Sequence, residues 1–351
     1  MGMKSRLLRP IRRRSALVLA VMFHSLTLGI SAIRRPSANR ALLLVALAAT
    51  AVLVIVVGVD AALAATGQDT ADAAVDELSI WSAIILGLVE GLTEYLPVSS
   101  TGHLLVTNEI LGLAETPEAE EALDSYAICI QAGAILAVFV LYRERVRQMI
   151  DGLLGRSDEG RQVLLGIIVA FIPTAIIGLF IVDEVRERLF GIGPIAGAWL
   201  VGGIAILVLT RSGLMDRAGA ELGSLTMGQA AIIGLAQSIA MWPGTSRSLI
   251  TIVAAVLVGL SLRAAVEFAF LLGLVTLSAA TAVTALQDGQ QLVDLYGWVN
   301  PVIGAVVAFF AALVSIKWMV SWLQERSFDV FGYYRIVIGL LAFGALALGW
   351  L

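Results

Sequence analysis

The chain has 351 residues, 59% of them hydrophobic and 14% charged, with a mean hydropathy of +0.93. Soluble domains average about 45–50% apolar and about 25% charged residues, so this composition excludes a disordered chain or a soluble enzyme and reads as a polytopic membrane protein. The formal net charge of −4 hides an asymmetry: nine of the 23 Lys and Arg precede Ala41, and no acid precedes Asp60.

Residues 1–77 form a basic N-terminal arm followed by an extra hydrophobic segment at 41–59. Lys4, Arg6, Arg9, Arg12, Arg13, Arg14, Arg34, Arg35 and Arg40 stand directly before that apolar run, which favours a cytoplasmic anchor over nucleic-acid binding. Ala62-Leu63-Ala64 has the small-residue pattern of a cleavage site, so a signal-like leader and a retained anchor are both open readings. The single Cys129 excludes a disulfide framework, and two histidines, His24 and His103, leave little from which to build a zinc site.

A crossing helix needs about 20 mostly apolar residues. Beyond 41–59, such runs fall at 126–142, 162–182, 194–210, 264–286, 297–318 and 333–351. Two further apolar stretches, 78–106 and 227–260, are interrupted at Pro97–Gly102 and Pro243–Ser248. Each is too long for one upright helix and suits two half-helices of about 14 residues, roughly 21 Å apiece.

Loop charges orient the spans. Segment 107–125 carries Glu109, Glu115, Glu118, Glu120, Glu121 and Asp124 with no basic residue, and 287–296 carries Asp288 and Asp294. Segment 143–161 carries Arg143, Arg145, Arg147, Arg156 and Arg161. With basic segments inside and acidic ones outside, each interrupted stretch enters and leaves on one face. The expected fold is therefore all-α, with six core transmembrane helices, two re-entrant helical hairpins and the extra N-terminal segment. Gly87–Tyr95 also aligns with Gly234–Trp242, and one gap at Leu96 pairs Pro97 with Pro243 and Ser100 with Ser246. That is the signature of an inverted-topology repeat, repeat one at 78–210 and repeat two at 227–351, with a binding site where the broken helices meet.

The chemistry-bearing residues concentrate in those breaks. Glu90 and Glu94, four apart on a helical stretch, face the same way. An intramembrane carboxylate costs a few kcal/mol and marks a functional site by default. Two hard oxygen ligands suit Mg²⁺ or Ca²⁺, the former commonly bound by one or two carboxylates plus substrate phosphates. Pro97-Val98-Ser99-Ser100-Thr101-Gly102-His103 brings three hydroxyls and an imidazole to a helix N-terminus, a natural seat for phosphate. Arg247, in Pro243-Gly244-Thr245-Ser246-Arg247-Ser248, reads as the one guanidinium set within a long apolar stretch, suited to bidentate phosphate binding. Glu267 is expected to pair with Arg247 or Arg263, and Gln131 is a candidate polar neighbour of the site or an interhelical hydrogen-bonder. Together these groups point to phosphoryl chemistry on a lipid-borne substrate. A phosphohistidine mechanism is excluded, since no histidine follows His103.

The run Glu90-Gly91-Leu92-Thr93-Glu94-Tyr95-Leu96-Pro97-Val98-Ser99-Ser100-Thr101-Gly102-His103 resembles the first signature of the bacterial undecaprenyl-diphosphatase family, linked to bacitracin resistance. Trp242–Ser248 resembles its second signature, and Ile130–Val138 and Glu267–Leu272 resemble further family segments. The likeness spans roughly 78–351. It implies removal of the terminal phosphate of undecaprenyl diphosphate, yielding the monophosphate carrier of cell-wall synthesis, in the bacterial plasma membrane with the site open to the outer face. By matching position it implies Glu90 and Glu94 as holders of a divalent cation, and Ser100, His103, Glu94 and Arg247 as catalytic. Ser99, Thr101, Thr245, Ser246 and Gln131 would contact substrate. Ser100 as nucleophile beside a proton-carrying His103 and a metal-activated water are both open chemistries. Partners are the lipid substrate and the membrane, with room for a homodimer and no role for nucleic acid. The competing class is a polyprenyl-phosphate transporter or flippase, which shares broken helices and inverted repeats. Leu249-Ile250, Val253-Ala254-Ala255 and Leu274-Val275 depart from the family pattern of small residues and proline, and bear on the shape of the lipid pocket.

Overall fold

The computed structural model describes residues 78–113 and 117–351; the basic arm, the segment at 41–59 and Ala62–Ala64 lie outside them. The described residues are helical, with one isolated parallel β-bridge between Ala220 and Leu260 and no sheet among them. The first interrupted stretch becomes α1 (Ile80–Thr93) and α2 (Ser100–Leu111). Next come α3 (Pro117–Leu141), the short amphipathic α4 (Arg143–Leu153), α5 (Asp158–Leu189) and α6 (Ile192–Arg211). The second interrupted stretch becomes α7 (Met227–Gln237), a 3₁₀ turn (Ser238–Met241) and α8 (Arg247–Leu257). The chain closes with α9 (Leu262–Gln287), the short α10 (Gly289–Tyr296), α11 (Val299–Glu325) and α12 (Asp329–Ala347).

Six of these helices, α3, α5, α6, α9, α11 and α12, are long and apolar enough to cross a bilayer, one for each core span expected from the sequence. The four half-helices have 14, 12, 11 and 11 residues, too short to span about 30 Å at 1.5 Å per residue. Their ends follow local rules. Ser79 caps α1 by accepting from the Ser82 N–H, Thr226 and Gln229 form a capping box on α7, and α2 stops at Gly112 in the left-handed conformation. The outer faces of the long helices stay apolar: Leu179 and Phe180 are 82% exposed, and Phe310, Leu340 and Leu341 are also exposed. Such faces suit hydrocarbon rather than water.

Small residues set how close the helices come. A Cβ on Gly87 of α1 would overlap the Gly304 carbonyl of α11, and a Cβ on Gly234 of α7 would overlap the Ala170 carbonyl of α5. The half-helix α1 thus lies along α11, α7 along α5, α3 against α9 and α6 against α12. Thr174 of α5, just after the interior Pro173, turns its hydroxyl to the Gly234 carbonyl at 2.9 Å, and Ser315 of α11 donates to the Gly91 carbonyl at 3.0 Å.

Candidate active site

The two breaks adopt a shared and unusual backbone. Ser99 and Ser246, the N-caps of α2 and α8, have φ of 74° and 73°, the only non-glycine residues with positive φ among those described. Side chains rarely adopt this region, and it persists where the surroundings over-determine it. The pairing by conformation is Ser99 with Ser246, one residue off the sequence pairing of Ser100 with Ser246. The reason is that two steps separate Pro97 from Ser99 but three separate Pro243 from Ser246, the extra residue being absorbed near Gly244 at φ 89°.

The first elbow is held from behind. Four successive carbonyls each accept a side-chain donor: Leu96 from Ser248 Oγ at 2.9 Å, Pro97 from Arg335 Nη1 at 3.3 Å, Val98 from Trp199 Nε1 at 2.9 Å and Ser99 from His103 Nδ1 at 2.6 Å. With these carbonyls taken, the opening turn of α2 is fixed, and its N–H groups ahead of His103, at Ser100, Thr101 and Gly102, have no intrahelical acceptor.

In front of the elbow, Ser100 Oγ donates to Glu94 Oε2, and Arg247 Nη2 meets Glu94 Oε1 at 3.2 Å. Arg247 also donates from Nη1 to the Ala269 carbonyl at 3.2 Å, stands 5.6 Å over the Tyr95 ring, and has a buried Nε with no hydrogen-bond partner. Ser100, Glu94 and Arg247, from both interrupted stretches, therefore form one chain of contacts. Next to it lies a cavity of about 370 Å³ lined by Glu90, Ser100, Thr101 and Gln131, with apolar walls such as Leu104, Leu105 and Ile128. Asn108, Glu109, Glu120 and Asp124 of the acidic segment also line it. Glu90 is 1% exposed, and its Oε1 has no partner.

The remaining expected residues sit elsewhere. Both ring nitrogens of His103 are engaged away from Ser100: Nδ1 donates to the Ser99 carbonyl and Nε2 meets the Tyr334 hydroxyl at 2.8 Å, with the two rings stacked at 5.7 Å. Ser246 accepts from the Leu249 N–H and lies 3.0 Å from Ser248 Oγ; Thr245 Oγ1 donates to the Trp242 carbonyl at 2.5 Å. Ser99 is buried within the elbow. Glu267 pairs with neither Arg247 nor Arg263; it meets Arg145 at 2.6 Å, in a network with Glu159 across α4, α5 and α9.

A family model described as bacitracin resistance protein BacA matches residues 83–341. The chain belongs to that family. Among its relatives, the undecaprenyl-diphosphatase of Sorangium cellulosum is 40% identical over 264 residues, covering 74% of this chain and 84% of the relative. Undecaprenyl-diphosphatase 2 of Rhodospirillum rubrum is 39% identical over 280 residues, 78% of this chain and 97% of the relative. Undecaprenyl-diphosphatase 1 of Chromobacterium violaceum is 38% identical over 267 residues, 76% and 96%. Residues 90–103 and 242–248, which carry both elbows, fall inside the matched region.

Residues of this BacA member that sequence reading missed are Tyr334, Arg335, Trp199 and Ser248, which grip the elbows. Arg335 had a signal: it is a charge at the start of the apolar run 333–351, so Arg247 is not the one guanidinium in such a stretch. Trp199 and Tyr334 had none, because aromatic residues in apolar helices are ordinary.

Proposed function

We propose that this chain is an integral-membrane hydrolase that removes the terminal phosphate of undecaprenyl diphosphate, releasing undecaprenyl phosphate and inorganic phosphate. The carrying observation is the contact chain Ser100–Glu94–Arg247 beside the cavity, which joins a hydroxyl, a base and a forked cation. A nucleophile bonded to its base is the arrangement that activates a hydroxyl. Glu94 Oε2 takes the Ser100 proton as Oγ bonds to the terminal phosphorus and the bond from that phosphorus to the bridging oxygen breaks, freeing undecaprenyl phosphate. Water then adds to the seryl phosphorus, Glu94 returns its proton to Ser100 Oγ as the bond from Oγ to phosphorus breaks, and both protons of the water leave with the inorganic phosphate as dihydrogen phosphate. Arg247 and the α2 N-terminal amides stabilise the charge on the transferring oxygens. His103, tied on both sides, orients the first turn of α2.

The donor set fits a divalent cation. Glu90 turns an unpartnered, buried carboxylate oxygen beside Gln131 on the cavity, and Mg²⁺ usually takes one or two carboxylates plus substrate phosphates. Glu90 would hold it, with Glu94 sharing spare lone pairs. Such an ion supplies charge neutralisation to the diphosphate.

Several features support an inverted-topology repeat with two re-entrant hairpins. The elbows share the strained serine, and each first half-helix lies along the second span of the other half, α1 on α11 and α7 on α5. Glu109, Glu120 and Asp124 along the cavity, set against the arginines of 143–161, support an opening to the outer face of the bacterial plasma membrane. We assign the polyprenyl chain of the lipid to the apolar walls of the cavity. The test is phosphate release from undecaprenyl diphosphate by the purified protein, with Ser100→Ala as control. Wild type should release phosphate and Ser100→Ala should lose at least about 100-fold in kcat. Full activity in Ser100→Ala would transfer the attack to a metal-activated water, and no release by wild type would sink the phosphatase.

A further inference from the structure

Arg335 of α12 is 0% exposed and takes part in none of the salt bridges of the described residues. A buried guanidinium without a carboxylate is costly, and it persists where its N–H groups find fixed acceptors. Its acceptors are specific. Nη1 donates to the Pro97 carbonyl at 3.3 Å, and Nη2 to the Gly244 carbonyl at 2.8 Å and the Ala198 carbonyl at 2.9 Å. Pro97 stands two residues before Ser99, and Gly244 two residues before Ser246. One side chain therefore bonds the equivalent backbone position in both elbows, just ahead of the two residues with φ of 74° and 73°. Room for it is made on α6, where a Cβ on Gly202 would collide with Nη2.

The reacting groups are split between those elbows. Glu94 and Ser100 belong to the first and Arg247 to the second, and they touch only while the elbows keep their spacing. Among the described residues, the direct hydrogen bond between the elbows behind the site is the Ser248 hydroxyl on the Leu96 carbonyl, a single neutral one. A planar fork with fixed donor directions is suited to fixing two acceptors relative to each other, and a lysine ammonium is not.

We propose that Arg335 is a positioning residue of the phosphatase: by clamping Pro97 and Gly244 together it sets the distance between the Ser100–Glu94 pair and Arg247. It touches neither substrate nor reacting atoms. The inference rests on the phosphatase reading, and the experiment separates the two. Arg335→Lys keeps the charge and most of the volume but loses the fork. Its kcat should fall about 100-fold, the effect of a misplacement near 1 Å, with KM within about 3-fold. Amide hydrogen exchange should quicken at Ser99–His103 and at Arg247–Leu249 while α11 stays unchanged. Gly202→Ala, which leaves Arg335 in place but crowds its guanidinium, should show the same pattern and stands in if Arg335→Lys does not fold. A folded Arg335→Lys or Gly202→Ala with kcat within about 3-fold of wild type, or with elbow exchange unchanged, overturns the clamp. So does a loss of activity that only tracks the folded fraction. If wild type itself releases no phosphate, the phosphatase reading fails, and the exchange comparison still decides the clamp.

Discussion

Replacing Glu94 by Gln isolates what the carboxylate does. The amide has the same shape and retains an oxygen for Arg247 Nη2, now 3.2 Å from Oε1, but it cannot take the proton that Ser100 Oγ donates to Oε2. Two effects compete. Glu94 is buried and Arg247 largely so, with side chains 5% and 14% exposed, so losing the counter-charge and keeping only a neutral hydrogen bond costs about 1–3 kcal/mol of stability. Loss of a general base costs about 100-fold to 10,000-fold in rate, about 3 to 5 kcal/mol at 1.36 kcal/mol per decade. The kinetic effect should dominate. Glu94→Gln is expected to purify as a folded protein with a small drop in melting temperature and to release phosphate at least about 100-fold more slowly, with KM little changed. The assay is steady-state phosphate release in detergent beside a thermal melt of the same sample. Activity within about 10-fold of wild type would refute Glu94 as the base. A melt that collapses while activity per folded molecule holds would refute the catalytic role altogether.

Glu90→Gln should weaken divalent-cation binding, measured by Mn²⁺ titration of the purified protein without substrate, because the unpartnered Oε1 loses its charge. Unchanged Mn²⁺ affinity would remove Glu90 as the holder, and wild-type activity in chelator would remove the cation. Gly87→Leu drives a side chain into the Gly304 backbone of α11 and should abolish folded protein on size-exclusion chromatography. A monodisperse, active Gly87→Leu would show that α1 does not lie along α11.

Much of this protein is legible in its residues because the membrane enforces simple rules. A run such as 297–318 has to be a helix, since in hydrocarbon every backbone group needs an internal partner. The helices do break around Pro97 and Pro243, where proline, glycine and serine cluster, and Glu90, Glu94 and Arg247, charges inside apolar stretches, stand out by their cost. Where residue type carries no directional information, partners are not legible in the sequence. His103 beside Ser100 in sequence suggests a proton relay, yet one turn of helix points its ring back at the Ser99 carbonyl and Tyr334. Glu267 has several arginines within reach in sequence terms, and its partner is Arg145, which a turn after α3 brings alongside.

Composition and hydropathy were enough for the helical membrane architecture, its six long spans and the two broken segments, because each depends on short stretches of chain meeting a uniform solvent. Which groups meet depends on contacts between residues far apart, such as Glu94 with Arg247 and Arg335 with Pro97 and Gly244. Those are decided by how closely glycine-lined helices pack and by which carbonyls the elbows leave facing a donor, and no local pattern encodes either.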